Sequence, residues 1–462
     1  MTKHLTASNF FIKKMYDEYA ECVSRGRNPD IDQVMIWGDR LEHTFVHAQE
    51  DEKELGKTIC SFFCNVDSYR REYLEIINQI ISTWNGYYAY ECGFSMSSPT
   101  EVYIQDLFNS NYGKKALLSY IVHPFMMTPI VNTHTNQKEV MCIAEILDEL
   151  GYQVDVIDFR YSKEISDQSD YDLIFGFGKT LECIAESSGN MTKKIYYTTG
   201  ANPYVANMNE LARIREFAAR HNGKRMPYDC LVTEIPDLRK LQLFDASIIL
   251  GSEWTENTYD GIFPRTYRQN ATGFLISELP LSDLEIRKRS FICYGNYAAI
   301  HKGLDLCIEA FSELPEYELY IVGNVDKHIL DYYDSVLESA PNIHVMGFLT
   351  SEDDRFLDIC GKTAFCLNPS CSEGQATSVL TMMMSGIVPI CTKETGIDLE
   401  ESGVVELTDC SVEGLKDVVK MAAAMDNERI NNMSHHVYEY AMKNHTIDAF
   451  KEMMKGNLER IL

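Results

Sequence analysis

The first 112 residues carry apolar side chains at helical spacing. Phe11, Met15 and Tyr19 share one stripe, and the most regular stripe runs from Tyr73 through four isoleucines to Trp84. Apolar positions three and four residues apart form one face of a helix. We therefore predict a helical N-terminal extension over residues 1–112. It contains no catalytic motif, so we expect it to pack on the next domain or on a second subunit, with acceptor recognition as the alternative.

From residue 113 onwards, short apolar runs alternate with amphipathic stretches. The runs predict strands, and the stretches between them predict helices such as residues 139–150, 208–220, 303–311 and 378–384. Predicted strands cover residues 116–122, 152–158, 171–176, 194–198 and 246–250, then 290–294, 318–322, 343–346, 363–367 and 387–390. This alternation is typical of parallel sheets with right-handed crossovers.

The pattern occurs twice, which predicts an α/β protein with two doubly wound, Rossmann-like domains over residues 113–285 and 286–446. Paired sheets of this kind bind ligands at the carboxyl ends of their strands, which here face the cleft between the domains. Residues 447–462 are predicted to form a C-terminal helix that either ends the second domain or packs back on the first.

The net charge and the spacing of the cysteines exclude several classes of function. The 462 residues include 69 Asp and Glu against 42 Lys and Arg, a net charge of −27. Such a field repels phosphate backbones, so we expect no nucleic-acid partner, and any bound anion needs a local site. The 14 cysteines are scattered without a CxxC pair, which indicates buried reduced thiols rather than a zinc site. No signal peptide and no transmembrane segment is predicted, and we expect a cytoplasmic protein.

The strongest candidate for chemistry lies between residues 369 and 390. A predicted strand runs into the polar loop Pro369-Ser-Cys-Ser-Glu373-Gly-Gln-Ala, and a helix begins near Thr377. We expect the backbone N–H groups of Gln375, Ala376 and Thr377 to be unpaired and to face a diphosphate. Glu373 would accept hydrogen bonds from sugar hydroxyls. An ordinary strand–turn–helix without a ligand is the alternative.

This segment resembles the nucleotide-sugar site of GT-B glycosyltransferases, in particular glycosyltransferase family four. That family shows Glu-Gly-Phe-Gly, then a helix with a second Glu, then Gly-x-Pro-Val. Glu373, Gly374, Gly386 and Pro389 match this pattern. The resemblance implies the GT-B architecture, with the acceptor side on the first Rossmann-like domain and the donor side on the second.

Two further segments extend the resemblance. Tyr294 to Asp305 is similar to the segment in which an Arg and a Lys bind the donor diphosphate. Lys302 matches the Lys, and Asn296 stands at the Arg position. A solvated lysine is the alternative for Lys302. The stretch ending in Gly347 and Phe348 resembles the loop whose backbone holds the nucleobase edge.

The chain also departs from the family pattern. Thr381 stands where the second Glu binds the donor ribose, and Gln375-Ala376 replaces Phe-Gly. The histidine that the family often carries is absent from the segment Thr198 to Asn202, so His134, in the polar loop before the first helix of its domain, is the candidate substitute. These departures keep open a second hypothesis, a catalytically weak or inactive GT-B-like partner subunit of another glycosyltransferase.

The resemblance implies a metal-independent, retaining glycosyltransferase. It would transfer a sugar from a nucleotide diphosphate sugar, with UDP-sugar favoured, to a hydroxyl of a growing glycan or of a lipid-linked or protein-linked saccharide. Lys302, Glu373 and His134 are the predicted catalytic residues. No metal or other cofactor is expected besides the nucleotide-sugar co-substrate. The N-terminal helices would support a homo-oligomer or a partner protein. A third hypothesis is that the protein is a GT-B nucleotide-sugar epimerase.

Overall fold

The computed structural model describes residues 102–126, 134–163, 165, 171–224, 226, 230–232, 235–276, 279–295 and 298–462. The helices predicted within residues 1–101 therefore lie outside the described residues, as does Asn296. Within the described ranges, no helix is both long enough and apolar enough to cross a membrane.

The first sheet has seven strands in the order β1-β3-β2-β4-β5-β6-β7, and every neighbouring pair is parallel except β1 with β3. Its strands are β1 (Tyr103–Ile104), β2 (Lys114–Tyr120), β3 (Tyr152–Asp158), β4 (Leu173–Gly176), β5 (Lys193–Thr198), β6 (Ala246–Leu250) and β7 (Thr266–Gln269). The central strands are buried on both faces, which explains their nearly continuous apolar sequences.

Helices cover this sheet and carry side chains towards the second domain. They are α1 (His123–Met126), α2 (Asn136–Glu149), α3 (Lys179–Ser187), α4 (Pro203–Arg220), α5 (Leu238–Leu241) and α6 (Glu253–Asn257). Helix α4 begins five residues before the predicted start at Met208, because Asn202 caps it by accepting the Tyr204 N–H and Pro203 fits its first position.

Edge strand β1 lies in the segment that the sequence assigned to the helical extension. The hydroxyl of Tyr103 donates to Asp155 Oδ2 at 2.7 Å, and the N–H of Asp106 donates to Asp155 Oδ1 at 2.8 Å. The first sheet therefore includes residues that precede position 113. A two-residue strand offers no alternating run by which the sequence could mark it.

The second sheet has six parallel strands in the order β10-β9-β8-β11-β12-β13. They are β8 (Ser290–Tyr294), β9 (Glu318–Val322), β10 (Ile343–Gly347), β11 (Phe365–Asn368), β12 (Val388–Cys391) and β13 (Val405–Glu406). The helices are α7 (Leu284–Arg287), α8 (Leu304–Ser312), α9 (Lys327–Ser339), α10 (Asp354–Lys362), α11 (Thr377–Met383), α12 (Leu399–Ser402) and α13 (Val412–Ala423). The prediction of two doubly wound α/β domains is confirmed.

Two long helices end the chain, α14 (Asn427–Asn444) and α15 (Ile447–Ile461). Helix α14 packs on α11 in the second domain, whereas α15 packs on α2 and β7 in the first. Lys451 and Lys455 each pair with Glu149 of α2, at 2.8 and 2.9 Å. The chain thus crosses between the domains twice, once after β7 and once between α14 and α15.

Candidate functional site

Lys302 and Glu373 form an ion pair at the carboxyl edge of the second sheet, with 3.0 Å between Lys302 Nζ and Glu373 Oε1. Lys302 lies between β8 and α8, and Glu373 follows β11. Because β8 and β11 are neighbours in the sheet, the segments that follow them emerge side by side. The structure therefore brings together the two residues that the sequence predicted most firmly.

The surroundings of this pair keep both groups charged at neutral pH. Burial alone would lower the pKa of Lys302, but the Glu373 carboxylate outweighs it and holds that pKa above its usual range. Burial alone would raise the pKa of Glu373, but Lys302 and His301 hold it below its usual range. Ser370 Oγ also donates to Glu373 Oε1 at 3.2 Å. The result is a fixed pair of opposite charges facing the cleft.

His134 stands within electrostatic range of this pair, at the start of α2. The N–H of Asn136 donates to His134 Nδ1 at 3.2 Å, so Nδ1 acts as an acceptor and the ring proton lies on Nε2. The protein atoms packed around the ring lower the pKa of His134, and the Lys302 ammonium adds to the lowering, although solvent reaches the side chain. The imidazole is therefore neutral and presents a donor.

The loop that carries Glu373 touches the first domain directly. The N–H of Ala201 donates to the Glu373 carbonyl at 3.3 Å, and Thr255 Oγ1 donates to the Gly374 carbonyl at 3.3 Å. A Cβ on Gly374 would lie 2.4 Å from the Thr199 carbonyl oxygen, so only glycine fits here. The segment 199–201, where the family often carries its histidine, thus contacts the loop of residues 369–376, which we call the donor loop after its predicted role.

One prediction for the donor loop is wrong. The N–H of Ala376 donates to the Thr395 carbonyl at 3.0 Å, so this group is not available to a diphosphate. The N–H groups of Gln375 and Thr377 have no partner among the described residues. The difference arises because residues 393–395 form a short 3-10 turn after β12 that packs beneath the loop.

Two of the residues that depart from the family pattern, Gln375 and Thr381, bind the segment that connects the domains. Gln375 Oε1 accepts the Ala271 N–H at 2.6 Å. Thr381 Oγ1 accepts the Phe274 N–H at 3.1 Å and donates to the Thr377 carbonyl at 2.8 Å. Both side chains are buried, and their polar groups form hydrogen bonds with the segment that connects the two domains after β7.

The segment proposed for the nucleobase lies on the same edge, two strands from β8. The N–H of Gly323 donates to the Gly347 carbonyl at 2.9 Å, which joins the ends of β9 and β10. The ring of Phe348 is 46% exposed next to this point. Within the described residues, no hydrogen bond or ion pair joins Gly347 or Phe348 to the Lys302–Glu373 pair.

Sequence reasoning missed His301 and Glu210, which meet across the domain boundary with 3.6 Å between His301 Nδ1 and Glu210 Oε2. His301 also contacts Ser372, the residue before Glu373. One signal was available in the sequence: Glu210 lies on the same stripe of α4 as the buried Ile214 and Phe217, where a carboxylate needs a partner.

A cavity of about 580 Å³ lies beside the donor loop, between α4 and the ends of β11, β12 and β13. Asn209 and Arg213 line it from the first domain, and Cys371 and Cys410 line it from the second. Neither Lys302 nor Glu373 contributes to its walls. We therefore base the candidate site on the ion pair and its neighbours rather than on the cavity.

The comparisons with known proteins agree with this architecture. Residues 288–427 match the family model described as "Glycosyl transferases group 1". A sucrose-phosphate synthase from Thermosynechococcus elongatus has 14% identity and a TM-score of 0.50, over 75% of this chain and 98% of that one. A search of curated proteins found no significant match.

Two further solved structures are similar to this chain, with slightly lower TM-scores. HepE from Anabaena, in complex with UDP and glucose, has 12% identity and a TM-score of 0.47, over 75% of this chain and 99% of that one. WaaG, a glycosyltransferase involved in lipopolysaccharide biosynthesis, has 13% identity and a TM-score of 0.45, over 73% and 98%. Residues 288–427 therefore form a glycosyl transferases group 1 domain, and the two doubly wound sheets of this chain have the GT-B fold.

Proposed function

We propose that the protein transfers a sugar from a nucleoside diphosphate sugar to a hydroxyl group of a saccharide acceptor, with retention of anomeric configuration and without a metal ion. The observation that carries the proposal is the Lys302–Glu373 ion pair at the carboxyl edge of the second sheet. It combines a cation for the diphosphate with a carboxylate for sugar hydroxyls, and it lies opposite the first domain, from which an acceptor would enter.

The main barrier in such a transfer is the separation of charge between the sugar and the leaving diphosphate. The Lys302 ammonium and the N–H groups of Gln375 and Thr377 would stabilise the negative charge that develops on the diphosphate. Glu373 would orient the sugar through its hydroxyls. The contact of Gly374 with the segment 199–201 keeps this region closed, which would exclude water and suppress hydrolysis.

His134 would act on the acceptor side as a neutral hydrogen-bond donor. Its Nδ1 accepts the Asn136 N–H, which leaves Nε2–H directed to a substrate oxygen. Burial and the Lys302 ammonium both lower the pKa of His134, so its ring is neutral at this position.

The test is a donor panel assayed by mass spectrometry, with UDP-sugars first and GDP- and dTDP-sugars alongside, offered with and without saccharide acceptors. We expect a mass gain on an acceptor, an NMR spectrum showing the donor's anomeric configuration in the product, and no loss of activity with EDTA. Among the described residues, no group of three or more His, Cys, Asp or Glu side chains is arranged to hold a metal ion. Activity that EDTA abolishes and manganese restores would refute the metal-independent mechanism.

The roles of Gln375 and Thr381 favour one second candidate, a GT-B partner subunit with little activity of its own. Their side chains bind the connection between the domains rather than a donor. Calorimetry separates the two candidates: an enzyme binds at least one nucleotide sugar of the panel, whereas a partner subunit binds none and raises the activity of a second glycosyltransferase when mixed with it.

A further inference from the structure

His301 is buried at the boundary between the two domains, immediately before Lys302 in the chain. Its Nε2 donates to the carbonyl oxygen of Ser372. Its Nδ1 lies 3.6 Å from Glu210 Oε2 and 3.5 Å from Cys371 Sγ. The ring therefore connects a carboxylate of the first domain to the loop that carries Glu373.

The groups around His301 favour the charged imidazolium form of its ring. A carbonyl oxygen only accepts, so Nε2 carries a proton, and the carboxylate beside Nδ1 favours a second proton there. Burial alone would lower the pKa of His301, but Cys371 and Glu210 raise it to about 11. A cation is thus held next to Lys302 by a residue of the other domain.

Helix α4 carries Glu210 and lies along the donor loop. Asn209 Nδ2 donates to the Cys371 carbonyl at 2.8 Å, and Arg213 Nη2 donates to the Pro369 carbonyl at 3.0 Å. At its C-terminal end, Arg220 Nε pairs with Glu309 of α8 at 3.1 Å. Every one of these contacts joins the first domain to the second, so α4 holds the loop only when the domains are together.

We propose that Glu210 is a positioning residue that couples closure of the two domains to the arrangement of the donor loop. In the closed protein Glu210 keeps His301 charged and oriented, His301 fixes the Ser372 carbonyl, and Glu373 is thereby held beside Lys302. When the domains separate, His301 loses its carboxylate partner and the loop loses its anchor. This inference rests on the proposed function and adds how the donor site is assembled.

Among the residues that the structure describes, a small set of charged and titratable groups faces His301. Glu210 and Cys230 face it from the first domain, and Cys230 donates its backbone N–H to Glu210 Oε1 at 2.9 Å. Cys371 and Glu373 face it from the second domain, and Lys302 is the next residue in the chain. Of these two carboxylates, Glu210 is the one that lies within 4 Å of a ring nitrogen, so it is the carboxylate that contacts His301.

The experiment compares Glu210→Gln with Glu216→Gln, an exposed position on the same helix. We expect Glu210→Gln to raise the KM for the donor by about tenfold with a smaller change in kcat, because a displaced loop weakens donor binding first. The wild-type donor KM should be flat from about pH 6 to about pH 9, since His301 stays protonated below its raised pKa. In Glu210→Gln the pKa of His301 should fall, so KM should rise with pH within the range where the wild type is flat.

Glu216→Gln should have the donor KM and the pH profile of the wild type. Glu210→Asp keeps the charge and should therefore show the flat pH profile. A Glu210→Gln variant with wild-type KM and pH profile would overturn the proposal.

A measurement without substrate separates this inference from the proposed function. The ¹³C and ¹⁵N shifts of the His301 ring should indicate an imidazolium in the wild type and a neutral ring at high pH in Glu210→Gln. Hydrogen exchange of peptides covering residues 369–374 should be faster in that variant. If no nucleotide sugar binds the wild type, the proposed function fails while these two results still decide the role of Glu210. Unchanged ring shifts and unchanged exchange would refute that role.

Discussion

The Lys302 ammonium lies 3.0 Å from the Glu373 carboxylate, so the cation expected to bind a diphosphate is already paired with the carboxylate expected to bind the sugar. Both side chains are one-fifth exposed, so the pair is sheltered but open to the cleft. A bound donor would share the ammonium with Glu373 rather than meet a free charge. The strength of donor binding should therefore depend on both members of the pair.

Replacing Lys302 by Met should weaken donor binding while keeping the length of the side chain. The loss of one charge-assisted contact to phosphate should cost about 1.5–3 kcal/mol in kcat/KM or in the free energy of binding measured by calorimetry. Lys416→Met is the matched control, because Lys416 pairs with Glu313 and Glu413 away from the cleft. An unchanged kcat/KM in Lys302→Met would remove Lys302 from the donor site.

Replacing Glu373 by Gln keeps its size and one acceptor but removes the charge. If Glu373 orients the sugar as charges separate, kcat should fall by more than about tenfold, or about 1.4 kcal/mol. Steady-state rates at saturating donor measure this directly. A variant that retains wild-type kcat would leave Glu373 with a structural role only.

The lowered pKa of Glu373 leads us to predict that the stability of the protein depends on pH. The pKa of Glu373 is lower in the folded protein than its ordinary value, so its contribution is present at neutral pH and is lost as pH falls through the lowered pKa. Lys302→Met removes the main cause of that lowering, so the loss of stability between neutral and acidic pH that Glu373 causes should be smaller in this variant. Thermal unfolding followed between about pH 3 and about pH 7 checks this difference, with Lys416→Met as control. Coincident curves for the wild type and Lys302→Met would contradict it.

The sequence indicated the central strands because burial on both faces requires continuous apolar runs. Residues 116–122 and 246–250 are such runs, and they form β2 and β6. Strands β7 and β13 could not be predicted in this way. Thr266–Gln269 is polar and lies at the edge of its sheet, and Val405–Glu406 is too short to show a pattern.

In the candidate site, too, some residues could be predicted from the sequence and others could not. Lys302 and Glu373 were predictable because each adjoins a glycine-containing turn after a strand. The meeting of Glu210 with His301 was not, since it depends on how two domains pack, which no local spacing encodes. The side chains of Gln375 and Thr381 likewise find their partners on a distant segment, so sequence position alone suggested a donor role for them.

Removing the N-terminal extension should have different effects at two cut sites. A chain that begins at residue 102 keeps Tyr103 and Asp106 on Asp155, so it should fold and retain donor binding. A chain that begins at residue 113 loses these hydrogen bonds and leaves Asp155 short of partners, so it should unfold at a lower temperature. In both, the removed apolar stripe from Tyr73 to Trp84 should change solubility or oligomeric state. Equal melting temperatures for the two truncations would show that β1 contributes no stability.

Thr381 provides the sharpest test of how far the donor site departs from the family pattern. Its hydroxyl accepts the Phe274 N–H and donates to the Thr377 carbonyl, and the side chain is 1% exposed. Next to it, a Cβ on Gly273 would lie 3.0 Å from the Leu380 carbonyl carbon, so the connection between the domains passes close to α11. A glutamate at position 381 has no room beside this connection and would be buried without a cation.

We therefore expect Thr381→Glu to reduce folding yield or activity rather than to improve donor binding. Thr381→Val keeps the shape but leaves the Phe274 N–H unsatisfied, which should lower the free energy of unfolding by about 1–3 kcal/mol in chemical denaturation. Thr381→Ser retains both hydrogen bonds and should stay within about 1 kcal/mol of the wild type. A lower donor KM for Thr381→Glu, with normal folding, would mean that position 381 faces the ribose after all and that the family's second carboxylate can be restored.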